Sequence, residues 1–175
     1  MLKMVLILVF LVIAGILAFA TTKPDTFRVE RSIIINAPSE KIYPLISNFH
    51  QWQIWSPYEK MDPNMKRAFE GPESGKGAVY SWNGAGKVGQ GRMEILETQP
   101  ASKVIIKLHF VKPFEATNTT EFTIIPEGKQ TKVTWAMSGI QPFMGKVISV
   151  FFNLDPMIGK DFEDGLQNLK KAVEP

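Results

Sequence analysis

The stretch "WNGAGKVGQG", residues Trp82 to Gly91, places Gly84, Gly86 and Gly89 at G-x-G-x-x-G spacing, with Lys87 among them. In the right setting such glycines cradle a pyrophosphate. A strand must enter the loop and a helix must leave it, so that amide N–H groups and the helix dipole meet the phosphates. Here a strand-like run precedes the glycines and a second one, Arg92 to Thr98, follows them. No G-K-[ST] follows either, so a P-loop is ruled out as well. The residues predict a hairpin turn at Gly84-Ala85-Gly86 that needs positive φ, with Gly89 and Gly91 permitting a bulge or a strong bend. No nucleotide or other cofactor is expected.

The remaining groups that could do acid–base chemistry are His109, Tyr80, Arg92 and Glu94. In "SKVIIKLHFV" Val104, Ile106, Leu108 and Phe110 alternate with Lys107 and His109, which puts His109 on the face away from an apolar core. Arg92 and Glu94 stand two apart in a strand and read as a surface pair. No catalytic residue is therefore assigned, and a binding role is favoured over an enzymatic one. The chain has no cysteine and only two histidines, His50 and His109. Thiolate zinc sites, iron–sulfur clusters and cysteine nucleophiles are excluded, and no metal is expected. Asn118-Thr119-Thr120 matches a glycosylation sequon but lies in a strand-like run, so it reads as a chance match.

Charge adds a further exclusion. Lys and Arg number 20 against 17 Asp and Glu, for a net charge of +3, and the basic residues are scattered. A nucleic-acid binder clusters them, so no nucleic-acid partner is expected.

Met4 to Ala20, "MVLILVFLVIAGILAFA", is apolar throughout and sits between Lys3 and Lys23. Its length is at the lower limit for a spanning helix. Two readings stand. One is an N-terminal transmembrane helix that anchors the chain through residues 4–20, with the domain on the non-cytoplasmic side. The other is a signal peptide cleaved after Ala20, at the Ala18-Phe19-Ala20 pattern, leaving a secreted or periplasmic protein. Residues 1–22 thus form the anchor or signal, 23–26 a short polar linker, and 27–175 one domain, a size that buries a proper core.

Within that domain Phe27, Val29, Ile33 and Ile35 share one strand face. A helical segment follows from Ser39 to Trp55, where Pro44 predicts two short helices instead of one. From Met65 to Ser138 the chain reads as strands joined by turns. "PFMGKVISVFFNL" reads as a short apolar helix. Asp155-Pro156 then looks like a cap and first position for a long helix, with Ile158, Phe162, Gly165, Leu166, Leu169 and Val173 as its buried stripe. The order of elements predicts an α+β fold: a curved antiparallel sheet of about six to seven strands around a long C-terminal helix.

Four segments carry a family resemblance: "RSIIINAPSEKIYPLISNFHQWQIWSPY", "YSWNGAGKVGQGRMEI", "NTTEFTIIPEGKQTKVTWAMSG" and "PFMGKVISVFFNLDPMIGKDFEDGLQNLK". Together they resemble the SRPBCC superfamily, the START/birch-pollen-allergen-like helix-grip proteins, in its polyketide cyclase/dehydrase-like branch. The resemblance implies a cavity between sheet and C-terminal helix that holds a hydrophobic small molecule or lipid. Candidate lining residues are Trp52, Trp55, Tyr80, Trp82, Phe110, Phe122, Trp135 and Phe162, with Met93, Met137 and Met157 as adaptable surface. Two alternatives remain: a polyketide cyclase/dehydrase-like enzyme, and a membrane-tethered regulatory domain whose pocket is vestigial.

Overall fold

A computed structural model describes residues 1–86 and 88–174, so Lys87 of the glycine-rich turn lies outside the described residues. Helix α1 (Leu2–Thr21) leads into strand β1 (Thr26–Ile35). Helix α2 (Ser39–Ser47), a single 3-10 turn (Phe49–Gln51), and the short helices α3 (Trp52–Trp55) and α4 (Tyr58–Met61) follow. Six strands come next: β2 (Lys66–Glu70), β3 (Val79–Asn83), β4 (Gln90–Gln99), β5 (Lys103–Lys112), β6 (Ala116–Glu127) and β7 (Gln130–Ile140). Helices α5 (Phe143–Phe151) and α6 (Leu154–Val173) end the chain.

The strands form one seven-stranded sheet in the order β1-β7-β6-β5-β4-β3-β2. Every pairing is antiparallel. The chain therefore has the α+β layout with a long C-terminal helix. Alternation decides the faces. Val104 and Ile106 of β5 are fully buried, as are Phe122 and Ile124 of β6 and Val133 of β7. Register shifts at Gln90/Gly91 and Ile95/Glu97 bend β4, which curls the sheet as bulges do.

Helix α6 lies against β1 and α3. Phe162, Leu166 and Leu169 are buried, with Ile158 and Val173 packed at the margins of the same stripe. One charged residue joins this apolar contact. Arg31 shares the inward parity of Val29 and Ile33. Its guanidinium forks onto Asp155 (3.0 and 3.1 Å) and reaches Glu163 at 2.8 Å. A Cβ at Gly159 would overlap that guanidinium, so glycine there lets the arginine cross the helix.

Two expectations about helix ends need correction. Pro44 does not break α2, which runs on to Ser47. The break comes at Asn48, which is extended and whose side chain accepts from the His50 N–H. Pro44 lies inside α2 and costs it one backbone N–H donor, yet the helix continues past it and the Asn48 N–H bonds the Pro44 carbonyl at 3.2 Å. Asp155 is not the cap of α6 either. Asn153 caps it, accepting from the Asp155 N–H at 3.1 Å, and Asp155 serves the Arg31 pair instead.

Candidate functional site

The antiparallel registers set side chains in rows across the concave face. One row runs Val104, Phe122, Trp135 through β5, β6 and β7. These residues are packed solid with Trp52 and Trp55 in edge-on contacts, and Trp135 stacks on Phe162 at 4.2 Å. A second row runs Tyr80, Met93, Leu108, Asn118 through β3 to β6, and a third runs Trp82, Gly91, Phe110. Over these two rows the interior is hollow.

The cavity measures about 330 Å³. The sheet rows form its floor, Trp52, Trp135 and Phe162 close it toward the packed side, and Phe27, Met137 and Ile158 line it near the start of β1. Gly91 is essential to this shape, because a Cβ there would overlap the six-membered ring of Trp82. The glycine-rich turn thus has a conformational role. Gly86 and Gly89 both have positive φ, the Gly84 N–H bonds the Gly89 carbonyl at 2.8 Å, and strand β4 follows directly. No helix leaves the turn, so the dinucleotide reading fails on geometry.

Of the residues singled out in the sequence, Trp52, Tyr80, Trp82, Met93, Phe110, Trp135, Met137 and Phe162 meet around the cavity. Trp55 and Phe122 do not reach it; both are wholly buried in the packed row behind its wall. Met157 does not reach it either and is 63% exposed, since its neighbour Ile158 holds the inward position on α6.

Polar groups also converge here, and most escaped the sequence reading. Glu59 on α4 is buried at the cavity wall. It accepts from the Tyr80 hydroxyl at 2.5 Å and pairs with Arg67 at 2.7 Å. Burial and the adjacent carboxylate push the Tyr80 phenol well above its usual range. Tyr58, also on the wall, is pushed up by burial and by Asp161. Both phenols stay protonated at neutral pH, and the hydroxyl proton of Tyr80 is committed to Glu59. Asn118 and Thr120 bring an amide and a hydroxyl to the same space. The Asn118 amide NH2 makes a long contact, 3.9 Å, to the Met137 sulfur. The Trp135 indole N–H is buried with no hydrogen-bond partner among the described residues.

The other acid–base candidates lie outside. His109 sits on the opposite face, its Nδ1 2.9 Å from the Thr117 hydroxyl. Arg92 and Glu94 face each other at 3.5 Å on the same outer surface. Asn118 is buried, which rules out the sequon as a glycan acceptor in the folded chain. Among the described residues no cluster of His, Asp and Glu gathers as a metal site.

The model of the family described as "Polyketide cyclase / dehydrase and lipid transport" matches residues 26–174. The chain belongs to this family. No curated protein matches it significantly. Solved structures share the fold at low identity. The Aha1 dimer from Colwellia psychrerythraea is 16% identical with a TM-score of 0.61, covering 85% of this chain and 96% of its own. A Chromobacterium violaceum protein is 16% identical with a TM-score of 0.60, covering 87% and 99%. Ara h 8.0201 is 11% identical with a TM-score of 0.54, covering 84% and 94%. At such identities the likeness is one of fold: the helix-grip arrangement, to which this family member adds α1.

Proposed function

We propose that the chain is a membrane-tethered carrier that holds one hydrophobic molecule between sheet and α6. The observation that carries this reading is the cavity itself, about 330 Å³ with a mostly aromatic, methionine and aliphatic lining. That is the lower end of the size range of ligand sites, with the expected few polar groups on its wall. A space of that size suits a single acyl chain or a small ring system. The family description includes lipid transport, which supports the same class of ligand.

Catalysis has less support. A general base must be able to take a proton, and the Tyr80 phenol already donates to Glu59, which is itself paired with Arg67. We therefore assign no catalytic residue. The membrane tether rests on α1, 20 residues with mean hydropathy 3.0 and almost no burial. Lys3 and Lys23 flank its apolar run, and the domain would stand on the non-cytoplasmic side.

Tryptophan fluorescence tests the cavity. Trp52, Trp82 and Trp135 line it. A fatty acid brominated along its chain should quench the full-length protein saturably, with one equivalent per chain. Quenching that never saturates, or none at all, would remove the carrier reading and leave the vestigial pocket.

A further inference from the structure

Helix α5 is built inside out for water. Its only buried residue is Lys146, while Phe143, Met144, Ile148 and Phe151 face outward, Phe151 62% exposed. A helix on a soluble domain does the reverse. The apolar surface continues beyond the helix ends to Ile140, 77% exposed, and to Phe152.

The strand registers fix where this surface lies. Thr26 at the start of β1 pairs with Ile140 at the end of β7. The β5–β6 loop, with Phe114 81% exposed, and the β3–β4 turn belong to the same end of the sheet. The opposite end closes in the polar hairpin Glu127-Gly128-Lys129-Gln130. The hollow rows of the cavity also belong to the apolar end, with Phe27, Phe110 and Val88 nearest it.

The tether reaches this same end. Four residues separate α1 from β1, and α1 packs along α5. Asp25 in that linker accepts from Lys146 Nζ at 2.6 Å, and its carbonyl accepts from the Gln141 N–H at 2.7 Å. The lysine of α5 is thus spent on the linker, and α5 is held where α1 ends. Lys23 lies over the Phe19 ring at 4.8 Å, an arrangement suited to a headgroup boundary.

We propose that α5 and the Phe114 loop lie in the bilayer interface beside α1, so that the cavity exchanges its ligand with the lipid phase through this end. The inference rests on α1 being a retained anchor. An exposed apolar patch of this kind marks an interaction site, and continuity with the anchor selects the lipid surface as its occupant.

The absence of cysteine makes the test clean, since a single introduced thiol reports one position. Full-length Met144→Cys, Phe151→Cys, Phe114→Cys, Leu11→Cys and Lys129→Cys variants would each carry a polarity-sensitive fluorophore in phosphatidylcholine/phosphatidylglycerol vesicles containing nitroxide lipids. The proposal expects blue-shifted, lipid-quenched emission at 144, 151, 114 and 11, and aqueous emission at 129. Quenching at 11 with aqueous emission at 144 and 151 would overturn the docking and leave the anchor standing. Aqueous emission at 11 would overturn the anchor, and the docking with it. Efficient 144-to-144 disulfide formation between chains, with no lipid quenching there, would assign the face to a second copy and also overturn the proposal.

Discussion

The two halves of the sheet are built from the same residue types and do opposite things. At the far end, Val104, Phe122, Ile124 and Val133 are buried in the core with Leu166 and Leu169. At the end nearest α1, Met93, Leu108, Phe110 and Trp82 stand in the continuation of the same alternation and enclose a void. The difference lies in what covers them. The far rows are covered by α2, α3 and the body of α6, whereas the rows at the α1 end face α4 and the first turns of α6 across the void. Gly91 deepens the contrast by leaving the Trp82 indole room to lie flat. Dense packing is therefore concentrated in one half and the void in the other.

Paired truncations across the two halves should break this contrast if it is wrong. Phe122→Ala, in the packed row, should cost about 3–5 kcal/mol in urea unfolding. Phe110→Ala, on the cavity floor, should cost less than about 2 kcal/mol, because little packing is lost beside an existing void. Equal costs would mean that the void is closed in solution. Glu59→Ala comes next, at about 2–4 kcal/mol. It strands the Arg67 guanidinium and the Tyr80 hydroxyl, though one-fifth exposure of Arg67 moderates the loss.

A pH experiment sharpens the polar wall. The Tyr58 and Tyr80 phenols are raised above their ordinary values, while an unfolded phenol titrates near 10. The neutral forms favour the folded state, so their contribution is complete below about pH 10 and is lost as pH climbs toward the folded values. Absorbance at 295 nm should show two of the three tyrosines failing to ionise near pH 10 until the chain unfolds. Ionisation of all three at that pH would mean that the wall is open to water. Asn153→Ala should give the smallest effect, about 1 kcal/mol from the lost cap of α6, again read by urea unfolding. A larger loss would mean that the start of α6, beside the void, carries more stability than its sparse packing indicates.

How much the sequence discloses follows from the same geometry. Alternation in β5 states that Val104, Ile106, Leu108 and Phe110 share a face, and the stripe on α6 states which residues turn inward. Both are legible because period reports direction. Period says nothing of distance along the strand, so it could not separate Phe122 in the packed row from Phe110 on the cavity floor. It also leaves Trp55 looking like Trp52. Met157 misleads because it adjoins the stripe without belonging to it. Glu59 is invisible for another reason: a four-residue helix has no period, and a lone glutamate beside Lys60 reads as surface. The reversal of α5 likewise needs the tertiary contact between Lys146 and Asp25 before its apolar face can be seen to point outward.

The most direct test of the carrier reading is native mass spectrometry of the full-length chain extracted from its own membranes, beside a Leu108→Trp variant that fills the hollow. One discrete hydrophobic adduct per wild-type chain is expected, lost in the variant while the fold persists. An adduct retained by the filled variant, or a wild-type chain that stays empty after challenge with fatty acids and quinones, would contradict it.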